Sequence, residues 1–521
     1  MALINQKISD PKTNLTDVEL EYLFNYLLDK EVPATSLELA QTLQNRGKND
    51  SSADIKRKFD AGQIYQPGRS YKVGDNISVP QHAWLEGKVT EVRAGVNPEL
   101  GDFQVITLKD SDGNHKQFAA SLVEHPINEL TIDDYIGMVE IDDSKDLTLL
   151  KRKVDTTFTE NEDLVQISGA WFPRSLLIDI NPGYLNLAEA VLEMSEGGPL
   201  TIKSILDQIE LTKTGNPKLL EFSMNLALQE DDRFDEVGPS GETLWFLKRL
   251  EPALVQEIPP LLKYQAPQGF PEPPEDILIE LENLIYDDLE PGTAESTGSK
   301  VIEINLIFPH LMSGTLPLTP DMGNLFPSAY EAPRVNFTFV DEDSGKEFTG
   351  WVVRPHHYVY GLKEWYQEKD LIPGSIVYLQ KGKNPGQVSI KAGKIKPTKD
   401  WFKTVLIGAD GGAVITLLKQ PVSSKVDERM AYIIPNPAAT EKLWTKNSSS
   451  HSFIERGVFD VLKQLMKLSP QGNVHALELY AGVNIFQRVP PRVIMSILVN
   501  DPRINYLGNL HFRFSDDGLG A

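Results

Sequence analysis

Apolar residues recur at helical spacing in three separated stretches of the chain. Leu20, Leu23 and Leu27 form one set, Leu187 and Val191 a second, and Val458, Leu462 and Leu465 a third, each the mark of a helix with one buried face. Each stretch opens on a residue with a side-chain oxygen three positions before a glutamate: Thr16 with Glu19, Asn186 with Glu189, Ser452 with Glu455. Such pairs satisfy N–H groups that a helix start leaves unpaired. Behind the second start, Gly197, Gly198 and Pro199 break the helix, Ile202, Ile205, Leu206 and Ile209 predict another, and Asn216-Pro217 opens a third with Leu220, Met224, Ala227 and Leu228 inward. A hairpin is predicted next, from a short apolar strand through Gly238-Pro239-Ser240-Gly241 to a second strand over 243–247.

The third stretch repeats this plan. Its helices are predicted up to about 468, over 474–484 and after Pro490-Pro491, where Val493, Ile494, Ile497 and Leu498 share a side, and DPRINYLGNLHFRF reads as the hairpin. The segments DDRFDEVG at 231–238 and DPRINYLG at 501–508 share Asp, Arg, two apolar positions and Gly at equal spacing. They lie too far apart for a stacked solenoid, so the pattern is a recurring domain. In the N-terminal stretch a second helix over 37–43 is clear and a hairpin is not.

Between 70 and 126, short alternating strands separated by Gly or Asp turns predict a small β-barrel. A longer strand-rich segment from 301 to about 420 predicts a second. The fold class is therefore α+β multidomain, with winged-helix domains alternating with small β-barrels. The expected layout is a winged-helix-like domain over 1–66, a barrel over 67–127, an acidic connector with short strands over 128–182, and a winged helix over 183–250. An acidic Pro-rich linker over 251–300, a barrel over 301–420, a linker over 421–452 and a C-terminal winged helix over 453–521 complete it.

Charge sharpens this picture. The 521 residues hold 51 Lys and Arg against 74 Asp and Glu, a net −23, which excludes a uniformly basic nucleic-acid coat. Residues 251–295 hold eleven acidic residues and one Lys, and 127–164 hold eleven against four Lys or Arg, so most of the acidity is assigned to connectors. The chain has no cysteine, which excludes disulfides, thiolate zinc sites, iron–sulfur clusters and cysteine nucleophiles. MALINQKISDPKTN lacks a signal-peptide apolar core, and the apolar run at 405–418 is short and interrupted by Asp410. A cytoplasmic, soluble protein is expected.

The stretch 183–250 resembles the HARE-type helix-turn-helix. That winged-helix family occurs in the acidic delta subunit of bacterial RNA polymerase, in chromatin proteins and beside restriction nucleases. The resemblance rests on the helix from Ala188 to Leu192, the Gly-Pro-Leu-Thr-Ile break at 198–202, and Asp232-Arg233-Phe234 with Val237-Gly238. The sequence departs from the family between the second and third helices, where it has only LTKTGNP. The segment 316–382 is similar to the pseudobarrel DNA-binding domain of plant transcription factors and some restriction enzymes. There the matching residues are Leu325-Phe326-Pro327, the hairpin at 339–350, and Gly361-Leu362 with Trp365-Tyr366, Leu371 and Gly374. That resemblance implies loops at one barrel mouth entering the major groove.

Local positive charge names the candidate DNA contacts. Residues 363–403 hold nine lysines, Lys363, Lys369, Lys381, Lys383, Lys391, Lys394, Lys396, Lys399 and Lys403, against four acidic residues. Trp365, Tyr366, Tyr378 and Trp401 lie among them, available to stack or to contact sugar. The alternative is that these lysines form only the polar outer face of a barrel. In the middle winged helix Lys203, Lys213 and Lys218 are the candidates, although 186–250 is net negative, which equally suits a protein partner. In the C-terminal copy Arg488 and Arg492 flank the start of the third helix, whose N-terminal residues meet base edges in helix-turn-helix docking.

No catalytic constellation stands out, so the chain reads as not an enzyme. His356-His357 on a strand would point to opposite faces, which does not suit a metal pair. The pairs Asp142-Asp143, Asp231-Asp232 and Asp287-Asp288 read as solvated surface, and GADGGA at 408–413 as a tight turn, since it lacks the phosphate-loop order. The resulting expectation is a nucleic-acid-binding adaptor associated with transcription or chromosome maintenance. Its partners would be double-stranded DNA and RNA polymerase or another protein, with no membrane and no cofactor. A protein-interaction scaffold and an accessory subunit of a restriction or modification system are the alternatives.

Overall fold

The computed structural model describes residues 14–138, 143–209, 216–239, 241–265, 269–282, 284–290, 298–326, 332–408, 412–444 and 451–515. The chain is mixed α+β and multidomain. It divides into two compact units, residues 1–179 with 213–223 and residues 180–212 with 224–521.

The first unit opens with α1 (Asp17–Lys30), the two-residue strand β1 (Ala34–Thr35) and the long α2 (Ser36–Asp60). The expected box at α1 forms, Thr16 Oγ1 accepting from the Glu19 N–H and Glu19 Oε2 from the Thr16 N–H. Thr35 and Glu38 make a second such box at α2. Strands β2 (Asn76–Val79), β3 (Leu85–Ala94), β4 (Gln104–Asp110) and β5 (His115–Ala120) follow as one antiparallel sheet in the order β2-β3-β4-β5. This is an open four-stranded sheet where a closed barrel was expected.

The chain then returns to the helices. After α3 (Ile132–Gly137) come α4 (Asp143–Thr159) and the hairpin β6 (Leu164–Ile167) and β7 (Ala170–Pro173). Val154 and Phe158 of α4 are buried, as are Leu23, Leu27, Leu39 and Trp171. Trp171 Nε1 donates to Ser36 Oγ at 2.9 Å, and Phe158 meets Trp171 edge-on at 5.5 Å. Residues 128–182 are thus not a connector. They supply the third helix and the hairpin that the N-terminal stretch lacked, displaced by the inserted four-stranded sheet.

The second unit includes α5 (Pro182–Met194), β8 (Leu200–Thr201), α6 (Ile202–Gln208) and the hairpin β9 (Phe234–Glu236) and β10 (Leu244–Leu247); in chain order α7 (Pro217–Gln229) falls between α6 and β9, residues 217–223 of it counted in the first unit and 224–229 in the second. Asn181 caps α5, five residues before the expected Asn186 start. Asn186 and Glu189 instead accept from Arg233 Nη1. Next come α8 (Ala253–Gln256) and α9 (Glu275–Glu282), and then a seven-stranded, nearly closed barrel-like sheet.

That sheet is built from β11 (Val301–Asn305), α10 (Phe308–Ser313), β12 (Thr315–Pro317), β13 (Arg334–Asp341), β14 (Glu347–Val353), β15 (Tyr358–Tyr360), α11 (Lys363–Glu368), β16 (Ile376–Lys381) and β17 (Gln387–Ala392), with strand order β11-β16-β17-β13-β14-β15-β12. Its pairs are antiparallel except β13 with β17. The sheet ends at Ala392, short of the expected 420, and β18 (Lys394–Ile407) with β19 (Ala413–Ser424) makes a separate ribbon. After β20 (Tyr432–Ile433) and α12 (Pro437–Trp444), the chain closes with α13 (His451–Leu468), β21 (Val474–His475), α14 (Ala476–Phe486), α15 (Pro491–Asn500), β22 (Ile504–Tyr506) and β23 (His511–Phe514). Helix α13 begins one residue before Ser452, so Ser452 is not its cap.

One plan therefore occurs three times: helix, two-residue strand, helix, helix, hairpin. The three small sheets share the order short strand, second hairpin strand, first hairpin strand: β1-β7-β6, β8-β10-β9 and β21-β23-β22. An aromatic of the second hairpin strand faces the short strand in each, Trp171 opposite Ala34, Trp245 opposite Leu200 and Phe512 opposite Val474. The next short-strand residue, Thr35, Thr201 or His475, caps the following helix.

The segments expected as spacers are packed. Val255 and Leu262 share a core with Val237, Phe246, Trp351 and Tyr358, joining the middle hairpin to the barrel-like sheet. Ile277, Leu281 and Ile285 enter the core of the C-terminal module beside Val458, Leu462 and Ile494. In 421–452, Val422, Met430 and Tyr432 are buried, and Trp444 Nε1 donates to the Ile485 carbonyl at 2.9 Å.

Candidate nucleic-acid interface

Arg488 is not a surface residue. Its side chain is 1% exposed, with Nη1 donating to Asp287 Oδ2 at 2.9 Å and Nη2 to Asp287 Oδ1 and Asp288 Oδ1. Tyr480 Oη donates to the same Asp287 carboxylate, and His310 Nε2 lies 2.9 Å from Asp288 Oδ1 with Nδ1 2.8 Å from Thr315 Oγ1. The acidic pair expected at the surface is thus buried, because a guanidinium 200 residues away supplies its counter-charge. Burial opposes ionisation of Asp288, yet Arg488 and His310 together hold its carboxyl well below the usual carboxylate range.

Arg492 is paired although its side chain is partly exposed, and α15 is largely covered. Arg492 Nη1 pairs with Glu272 at 3.0 Å and its backbone N–H donates to Glu290 Oε2, while Ser496 Oγ donates to the Pro271 carbonyl. The helix expected to meet base edges therefore lies against the acidic segment 271–290.

The lysines of 363–403 divide sharply. Lys369 is tied to Asp341 at 2.7 Å and Asp343 at 3.7 Å. Burial alone would raise the Asp341 carboxyl, but the Lys369 ammonium and the Ser344 hydroxyl hold it at about 2. Lys394 pairs with Asp343 at 2.6 Å and Lys391 with Glu342 at 3.7 Å. Lys403 is buried, donating to Glu478 Oε1 at 3.0 Å and to the Arg429 carbonyl at 2.6 Å. Its ammonium is lowered by burial, against the pull of Glu478. Trp365 and Tyr366 are buried too, Tyr366 Oη donating to the Thr315 carbonyl, and Tyr378 Oη accepts from Lys425.

Lys363, Lys381, Lys383, Lys396 and Lys399 remain exposed, with no carboxylate at ion-pairing distance among the described residues. Lys203 and Lys218 are exposed on α6 and α7, and Lys213 lies outside the described residues. Lys381 and Lys383 stand at the β16–β17 turn. Lys396 and Lys399 stand on the β18–β19 ribbon.

The ribbon forms because its strands alternate and tolerate proline where they have it. Pro397 lies in a register irregularity between Lys394 and Thr398. Ile415 N–H points away from β18, to Gln464, and Pro421 shares its parity on a strand at the edge of its sheet, where an N–H would have no ladder partner. On one face Lys399 opposes Pro421, Trp401 opposes Lys419 and Lys403 opposes Leu417. The lower part of this face, Lys403 and Val405, is buried against the C-terminal module. Its upper part carries Lys399, Trp401 and Lys419 into solvent, with Trp401 61% exposed.

No family model, curated protein or solved structure matches this chain. The chemistry of the site accordingly rests on its own residues. Among the described residues no cluster of three or more His, Asp or Glu is placed to hold a metal, and no helix is long and apolar enough to cross a membrane. His356 ends a 3-10 turn and His357 adopts a left-handed conformation, so the strand geometry expected there is absent. Asp231 accepts from Arg233. Asp142, the side chain of Asp143, Ser240, Pro327 and the centre of the GADGGA turn lie outside the described residues.

Sequence reasoning missed Lys419 as a member of this patch. Its place opposite Trp401 depends on the ribbon register, and a strand pairing of β18 with a segment beyond 413 was the signal that would have found it.

Proposed function

We propose that the protein is a nucleic-acid-binding adaptor whose contact surface is the upper face of the β18–β19 ribbon. The observation that carries this reading is the pair of unpaired ammonium groups at Lys399 and Lys419 beside an exposed indole, with Lys396 unpaired further along the same strand, in a chain of net −23 where Lys391, Lys394 and Lys403 of the same segment are tied to carboxylates. Phosphate neutralisation supplies most non-specific affinity. The three helix-and-hairpin modules are read as winged helices, and the seven-stranded sheet with two short helices as a pseudobarrel. These assignments and an association with transcription or chromosome maintenance rest on the resemblances at 183–250 and 316–382. With α15 largely covered, the C-terminal module serves as a support for the ribbon.

The experiment is a salt titration of binding to labelled DNA. Affinity should fall with a slope of about −0.9 per phosphate contact in log–log form, and Lys396→Glu with Lys399→Glu should flatten it. No binding at low salt overturns the reading. A protein-interaction scaffold is the second reading, favoured by Leu187, Ala190 and Met194, which are exposed at helical spacing on α5. Association with an RNA polymerase or another protein through that face would survive the lysine reversals.

A further inference from the structure

Resting on the nucleic-acid reading, we infer that the ribbon takes a single strand, with an unpaired base stacked on Trp401 and the flanking phosphates held by Lys399 and Lys419. Three observations converge. The Trp401 indole is 61% exposed, and Asp400 Oδ1 accepts from the Trp401 N–H at 2.7 Å, fixing the strand from the opposite face. Lys419 stands directly across the ladder from Trp401, at a side-chain separation of about 5 Å, and Lys399 lies two residues back on the same face, about 7 Å along the strand. An aromatic plane bracketed by two ammonium groups is the arrangement that stacks a base while neutralising its backbone.

Strandedness follows from the stacking partner. In a duplex both faces of every interior base are already stacked on neighbours, so an indole gains a base face only where the strand is unpaired. Lysines alone would serve duplex and single strand equally. The exposed tryptophan between them favours the single strand, and because every base has a π-face the contact is tolerant of sequence.

The test compares the full chain and its Trp401→Ala, Trp401→Phe and Lys399→Glu/Lys419→Glu variants, by fluorescence anisotropy against labelled oligo(dT) and a duplex of equal length. Circular dichroism and thermal melting confirm that each variant is folded, as expected for exposed positions. Trp401→Ala should weaken oligo(dT) binding by about 5- to 150-fold, Trp401→Phe should retain most of it, and duplex binding should be unmoved by either. An equal effect of Trp401→Ala on both DNA forms, or no effect on oligo(dT), overturns the stacking inference. If the lysine reversals still weaken both forms, the nucleic-acid reading survives that result. No binding of either form at low salt overturns both readings. Self-association of the parent chain that Trp401→Ala abolishes, with oligo(dT) affinity unchanged, would make the patch a protein contact and likewise overturn the inference.

Discussion

Replacing Arg488 by methionine separates a structural guanidinium from a DNA-binding one. The substitution keeps an unbranched, apolar side chain in the core but leaves Asp287 and Asp288, both nearly fully buried, without their shared cation. Asp287 retains the Tyr480 hydroxyl and Asp288 retains His310, which compensates in part. Removing one partner of a buried pair costs about 3–5 kcal/mol, and at about 1.4 kcal/mol per factor of ten local opening of the C-terminal module should become more frequent by two to nearly four orders of magnitude. Native-state hydrogen exchange of the α14 and α15 amides reads that opening directly, without assuming that a multidomain chain unfolds in one step. Adding Asp287→Asn and Asp288→Asn should recover part of the loss, since carboxylates no longer lie buried and unpaired. Exchange that accelerates less than about tenfold would refute the buried-network account, and lost DNA affinity with unchanged exchange would return Arg488 to the surface.

Three further outcomes follow from the same structure. His475 caps α14 by accepting the Leu477 N–H on Nδ1, and burial, with Arg429 and His511 nearby, lowers its imidazole from an ordinary 6.5 to about 4. A depressed histidine stabilises above its unfolded value, so stability should be lost as pH falls from about 6.5 to 4, and His475→Asn, which also caps, should remove that dependence in thermal melts. Glu251 is pushed from 4.5 to about 8 by burial and by Asp235. Its contribution is complete below about pH 4.5 and is lost as pH rises through 8, so Glu251→Gln should raise the melting midpoint at pH 8.5 and leave it unchanged near pH 4. A Cβ at Gly350 would stand 2.0 Å from the ring of Phe339, in the packed interior of the barrel-like sheet. Gly350→Ala should therefore cost about 1–3 kcal/mol, read as a lowered urea midpoint.

Much of the helical organisation was legible because each amphipathic helix writes its own period. The middle and C-terminal hairpins were legible because they follow their helices closely. The first module was not, since the four-stranded insertion places its hairpin after residue 160, and a local reading stops looking long before Trp171. Ile277 and Leu281 stand at i and i+4 on α9, a buried helical face that was available in the sequence. Prolines and carboxylates around them outweighed it. The burial of Asp287 and Asp288 was not available, because nothing within their own segment supplies a cation. Only the fold brings Arg488 to them.

The same logic changes what net charge says about function. Acidity was expected to reside in connectors and so to leave the domains free to bind polyanions. Instead Asp287 and Asp288 bind Arg488, Glu272 binds Arg492, Asp235 binds Arg334, Asp343 binds Lys394 and Glu478 binds Lys403. A carboxylate placed at 2.5–3.0 Å from a basic group cancels its field at short range, whereas the remaining surface acids act through salt that screens them over about 8 Å at physiological ionic strength. Polyanion contact is therefore decided by which cations lack a partner. By that criterion Arg488, the residue that sequence reasoning placed at the DNA, is excluded, and the contact surface proposed at the ribbon around Trp401 retains Lys399 and Lys419, both unpaired on the same face.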